Sequence, residues 1–167
     1  MQCDMKKFLK EYIPYVIIII LVIIIKAYVV TPIRVNGPSM NDTLHDKDIM
    51  ILNEISYRFR PIKRFDIVVI RYKDEYIIKR VIGLPGEVVS CKNNKIYING
   101  KVIEEDFSRK YTNDFDDVLV GDDSYFVLGD NRVNSTDSRI IGTVSKKSIK
   151  GKTSLTVFPF SRFGTKN

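Results

Sequence analysis

The sequence predicts a mainly β domain behind one N-terminal transmembrane helix. Three observations carry this expectation. Residues 12–33 form an apolar run with a single charge, Lys26. After residue 31 no stretch of helical length repeats its apolar residues every 3.6 positions. The chain instead carries short runs rich in Val, Ile and Tyr, punctuated by Gly, Pro, Asn and Asp. At 167 residues it suits one domain plus an appendage, and 44 % hydrophobic content is enough for a core.

The apolar run comes first. Twenty-two helical residues span roughly 33 Å, about the thickness of a bilayer core. Lys26 lies near one end, where its amine can snorkel to the headgroups. A cleavable leader needs small residues just after the apolar core. Lys26-Ala27-Tyr28-Val29-Val30 is a poor cleavage site, so an uncleaved anchor is expected. Lys6, Lys7 and Lys10 precede the run and place the N-terminus in the cytoplasm by the positive-inside rule. Residues 1–30 are then a cytoplasmic tip and a single-pass anchor in the cell membrane. Residues 31–167 are a β-rich domain outside it.

The expected strands are Asp48–Leu52, Asp66–Tyr72, Glu75–Ile82, Glu87–Cys91, Lys95–Ile98, Lys101–Ile103, Ser124–Leu128, Arg139–Val144 and Ser154–Phe158. Asn99-Gly100 is a two-residue hairpin signal, and Asn93-Asn94 a weaker one. Residues 88–123 read as a small excursion from the main sheet. Within it the acid-rich Glu104–Asp123 reads as a long loop.

Charge narrows the partners. The formal charge is +7, spread without a basic run. That suits solubility and attraction to an anionic lipid bilayer. Nucleic-acid binding needs clustered Lys and Arg with exposed aromatics, and none is seen. Cys3 and Cys91 flank the apolar run, so a disulfide between them is not expected. Two distant Cys and the single His45 build no zinc site, and no metal or other cofactor is expected.

Three segments can carry chemistry. In Asn36-Gly37-Pro38-Ser39-Met40-Asn41-Asp42-Thr43-Leu44, Gly and Pro shape a turn that can present the Ser39 hydroxyl. A serine in a turn can equally be a simple cap. As a nucleophile Ser39 needs a base. His45 sits in a polar turn and reads as solvated. A lysine is the alternative base, provided burial lowers its pKa. Lys79 lies in the apolar strand Tyr76-Ile77-Ile78-Lys79-Arg80-Val81-Ile82, so it is either that base or an edge-strand charge. The third segment, Gly129 to Arg139, packs hydroxyls, carboxylates and guanidinia into one turn. In it Asp130 or Asp137 can pair with an Arg, and Ser135 can bond a nearby amine.

At these residues the chain resembles a type I signal peptidase of the small, single-anchor bacterial form. Gly37-x-Ser39-Met40-x-x-Thr43-Leu44 resembles the nucleophile box, and Arg64-Phe65-Asp66-Ile67-Val68-Val69 the strand box. Lys79-Arg80-Val81-Ile82-Gly83-Leu84-Pro85-Gly86-Glu87 is similar to the base box almost letter for letter. Gly129 to Arg139 is similar to the last box at every fixed position. The resemblance implies a signal-peptidase-like β-barrel or sheet and a Ser-Lys endopeptidase that removes signal peptides from exported preproteins near the export machinery. It implies Ser39 as nucleophile, Lys79 as general base, Ser135 as the hydroxyl that positions the lysine amine, and Asp137 and Arg139 as supports. The Ser39 N–H is implied in the oxyanion hole. Some relatives add a hydroxyl where this chain has Gly37, so a backbone group must serve there.

Two departures stand out. Asp42 replaces a usual Pro, and Phe65 a usual Gly. A carboxylate at Asp42 near Lys79 is expected to raise the lysine pKa. The rivals are a self-cleaving Ser-Lys repressor, which the anchor and the lack of a DNA-binding helical domain oppose, and an inactive anchored β-domain that binds partners.

Overall fold

The computed structural model describes residues 10–22, 31–108 and 110–166. Residues 10–22 are helical (α1), and their side chains are exposed throughout. The second half of the expected span, residues 23–30, lies outside the described residues. Among the described residues no helix is long and apolar enough to cross a membrane. The apolar run is not helical to its end, because Thr31–Arg34 forms strand β1. Pro32 explains the change: it has no amide hydrogen for a helix, yet fits an edge strand. It pairs there with Ile51.

The remaining elements are β2 (Ile49–Asn53), α2 (Ser56–Phe59), β3 (Ile67–Tyr72), β4 (Glu75–Gly83), β5 (Val88–Lys92), β6 (Lys95–Ile98), β7 (Lys101–Val102), β8 (Phe115–Leu119), β9 (Ser124–Leu128), α3 (Ser138–Ile141), β10 (Val144–Ser145), β11 (Ile149–Phe158) and β12 (Gly164–Thr165). The main sheet has the order β1-β2-β11-β3-β4-β9-β10, with β12 on β11. A second sheet has the order β7-β6-β5-β8. The protein is mainly β and antiparallel.

Local chemistry explains most turns. Asn93 and Asn94, and Asn99 and Gly100, all have positive φ. That is the backbone a two-residue hairpin needs to match strand twist. Two expectations fail. The expected strand Arg139–Val144 is not formed: Arg139–Ile141 lie in α3, and only Val144 is in a strand, β10. Asp137 caps α3 by accepting the Arg139 N–H, and Gly142 ends it at φ 76°. A good cap on each side outweighs the β-branched content of so short a run. The acid-rich loop contains strand β8, whose alternation is masked by Asp116 and Asp117 on its exposed positions.

Three apolar clusters form the interior. One joins the two sheets through Ile82, Val89, Ile96, Phe126 and Leu128. A second packs Val68, Ile70, Val81 and Val127. The third holds Val35, Met40, Leu44, Met50 and Ile67. This last cluster seats the serine loop. Met40 and Leu44 are essentially sealed from water, and each contributes about 1.5–3 kcal/mol of burial. Ser39 is therefore tethered by the residue next to it, while it remains half-buried itself.

Candidate active site

The serine loop is fixed from two sides. Within the loop, Asn41 N–H donates to Pro38 O at 3.0 Å, and Leu44 N–H to Met40 O at 2.7 Å. From across the fold, Asn131 donates its backbone N–H to Ser39 O at 3.0 Å and its Nδ2 to Pro38 O at 3.0 Å. Gly129 permits this approach, since a Cβ there would stand 2.5 Å from Ser39 O. Gly37 has φ +85°, the left-handed backbone that glycine adopts freely.

Lys79 sits in β4, which is buried on both faces from Lys79 to Gly83. Only 3 % of Lys79 is exposed. Its Nζ donates to Ser39 Oγ at 2.9 Å and to Ile78 O at 2.9 Å. Burial brings its pKa down from 10.5 to about 8, against the opposing pull of the Asp137 and Asp130 carboxylates. At neutral pH about one such lysine in ten carries a lone pair, against fewer than one in 10³ for a solvated one. A serine hydroxyl and a buried amine of lowered basicity are thus in direct contact, an arrangement chemically able to act as nucleophile and base.

The two carboxylates are themselves held by guanidinium groups. Arg80 donates Nε to Asp130 Oδ1 at 2.9 Å and Nη2 to Oδ2 at 2.7 Å, with both side chains essentially dry. Thr43 donates its hydroxyl to the same Asp130 Oδ2 at 2.5 Å. Arg139 donates Nε and Nη2 to the two oxygens of Asp137 at 2.9 and 2.8 Å. Asp137 also accepts the Gly129 N–H at 3.0 Å. Thus β4, the serine loop and the turn after β9 are joined through a charge-assisted network.

Comparison with known proteins now bears directly on this arrangement. Residues 8–158 match the family described as signal peptidase, peptidase S26. The chain belongs to the S26 signal peptidase family. It is 40 % identical over 158 residues to "Signal peptidase I" of Bacillus amyloliquefaciens, covering 87 % of this chain and 85 % of that one. It is 38 % identical over 165 residues to "Signal peptidase I S" of Bacillus subtilis (strain 168), covering 91 % and 90 %. A crystal structure of a signal peptidase I from Enterococcus faecalis V583 superposes with a TM-score of 0.51 at 36 % identity, over 56 % of this chain and 97 % of that one. As an S26 family member the chain is a serine peptidase, a hydrolase.

Within this S26 member the expected residues fare differently. Ser39 and Lys79 are in contact. Asp137 and Arg139 pair with each other. Ser135 does not bond Lys79: its Oγ is buried without a hydrogen-bond partner among the described residues. Gly37 contributes its φ and not a free donor, because its N–H is taken by Asp46 Oδ1 at 2.9 Å. His45 is exposed. The electrostatic role expected of Asp42 is not seen, since the carboxylates acting on Lys79 are Asp137 and Asp130.

Phe65 is accounted for. It takes φ +70°, which costs a non-glycine residue about 1 kcal/mol or more. In compensation its ring meets Phe107 edge-on at 5.2 Å between centroids. Phe107 in turn lies under the Arg80 guanidinium at 4.0 Å. Such ring and cation contacts are each worth about 0.5–1.5 kcal/mol. Arg80 also donates to the Phe65 carbonyl at 3.0 Å. Sequence reasoning missed Arg80, Thr43, Asn131 and Phe107 as parts of the site. The only local signal was an arginine buried in an apolar strand beside the lysine.

Proposed function

We propose that the chain is a membrane-anchored endopeptidase that removes N-terminal signal peptides from exported preproteins through a Ser39–Lys79 acyl-enzyme mechanism. The observation that carries this reading is the 2.9 Å contact between Ser39 Oγ and a buried lysine amine with a lowered pKa. In its neutral form Lys79 takes the Ser39 proton as Oγ attacks the scissile carbonyl. It then gives that proton to the leaving amine, and water hydrolyses the acyl-enzyme. The Ser39 N–H donates to the developing oxyanion. Asp137 and Arg139, paired with each other, hold the turn after β9 in this reading.

The surroundings suit an extended peptide. A groove of about 930 Å³ runs past the dyad, lined by Ile33, Val35, Leu52, Val69, Ile77 and Ile78. β1 borders it and pairs only with β2 among the described strands. Its other edge is open to a substrate strand, with alternate side chains directed into the groove. Residues 12–30 act as the anchor, so enzyme and preprotein meet already oriented at the bilayer.

Two experiments test this reading. Full-length protein in detergent, incubated with a labelled preprotein, is expected to release the leader fragment, whereas Ser39→Ala releases none. Cleavage by Ser39→Ala at the wild-type rate would overturn the assignment. Topology is read on intact spheroplasts. Added protease should reach the region after Thr31, and protection of that region would reverse the orientation inferred from Lys6, Lys7 and Lys10.

A further inference from the structure

We propose that Asn131 is the positioning residue that aims the Ser39 amide N–H into the groove. This inference rests on the Ser39 reading above and adds to it what sets the direction of the oxyanion donor. The Pro38–Ser39 peptide bond is trans. In a trans peptide the C=O and the N–H share one plane and point in opposite directions. Whatever holds the Pro38 carbonyl therefore aims the Ser39 N–H the other way.

Two donors hold that carbonyl: Asn41 N–H and Asn131 Nδ2, each at 3.0 Å. The first belongs to the turn itself and moves with it. Asn131 belongs to the turn after β9 and is 3 % exposed. It fixes the peptide plane relative to the rest of the site. Its backbone N–H holds the next carbonyl, Ser39 O, at 3.0 Å. Both peptide planes around the nucleophile are thereby pinned by one residue. The Ser39 N–H has no acceptor among the described residues, and Ser39 lines the groove. A free donor next to the nucleophile is the arrangement an oxyanion requires.

Asn131 bears no charge, and the hydrogen bonds it donates go to the Pro38 and Ser39 carbonyls, not to Lys79 or the Ser39 hydroxyl. Its side-chain Oδ1 is buried and unpartnered. The hydrogen bond its side chain makes is therefore through Nδ2, to Pro38 O.

The test uses the full chain in detergent with a signal-peptide substrate. Asn131→Leu keeps the shape, removes the Nδ2 donor and eliminates the orphan oxygen. Asn131→Ser is the second variant and leaves more room. Both retain the backbone bond to Ser39 O. Removing an oxyanion donor outright costs about 10²–10³ in kcat, so loosening its aim is expected to cost about tenfold or more. The loss should fall on kcat, with KM within about twofold, because the oxyanion exists only in the transition state. The midpoint of the rising pH limb should stay at the wild-type value. Wild-type kcat in either folded variant would overturn the proposal. So would a kcat loss accompanied by a displaced pH midpoint or a raised KM, which marks general loosening of the site. Ser39→Ala runs alongside: activity in that variant sinks the nucleophile reading itself, whereas an inactive Ser39→Ala beside a fully active Asn131→Leu sinks only the role of Asn131.

Discussion

Lys79→Met at pH 7 is expected to give a protein at least as stable as wild type that no longer cleaves. The catalytic half of this result follows from the contact of Nζ with Ser39 Oγ at 2.9 Å. Without a base the hydroxyl keeps its proton, and the loss in kcat/KM is expected to exceed about 10³-fold. The stability half follows from the lowered pKa of about 8. A lysine that is easier to deprotonate folded than unfolded binds fewer protons in the native state. Its burial therefore costs stability below pH 8, and this cost is relieved as pH rises from about 8 towards the unfolded value of about 10.5. The full difference is on the order of 3 kcal/mol. Methionine fills the same volume with no charge and removes that cost. Thermal unfolding of both proteins at pH 6 and 9 gives the sign, and the variant's advantage should shrink at pH 9.

Under the proposed mechanism the same amine sets the pH–rate curve. In wild type kcat/KM is expected to rise with a midpoint near pH 8, as Lys79 loses its proton. Asp137→Asn removes a carboxylate that favours the charged amine, and moves the midpoint down. Asp42→Asn leaves it in place. A midpoint that ignores Asp137 and follows Asp42 would refute the electrostatic assignment.

Asp130→Ala is expected to lose about 3–5 kcal/mol of folding stability, because it strands the Arg80 guanidinium in a dry interior. Against a total of about 5–15 kcal/mol for a domain, that leaves a large unfolded fraction at growth temperature. The loss is greater than for a surface pair because Asp130 also accepts from Thr43. Arg80→Met combined with Asp130→Leu removes both charges, and should recover most of the stability. It should not recover activity, since Thr43 in the serine loop and the Phe65 carbonyl both lose partners. Denaturant unfolding of the single and double variants, with cleavage assayed in parallel, checks both statements. A change below about 1 kcal/mol in Asp130→Ala would mean that water reaches the pair.

These outcomes divide along a line visible in the chain. The strand runs, the Asn-Gly hairpin, the shaped serine turn and the lysine in an apolar strand were all legible. Each rests on neighbours in sequence: alternation, turn chemistry and the incompatibility of a charge with its apolar flanks. Residues 139–141 are helical and not a strand because two short-range caps, Asp137 and Gly142, outweigh strand content. Strand β8 was missed because its charged positions face solvent.

The sequence alone thus determined a β-rich chain with a serine and a lysine able to act together. Only the tertiary structure decided which groups tune and aim them. Arg80 finds Asp130 fifty positions away, and Asn131 finds Pro38 ninety-three away. The carboxylates that pull the Lys79 pKa upward are Asp137 and Asp130, fifty or more positions along the chain. The physical reason is that charge and hydrogen bonding act over a few ångströms of space, and chain separation says nothing about that distance until strands have paired.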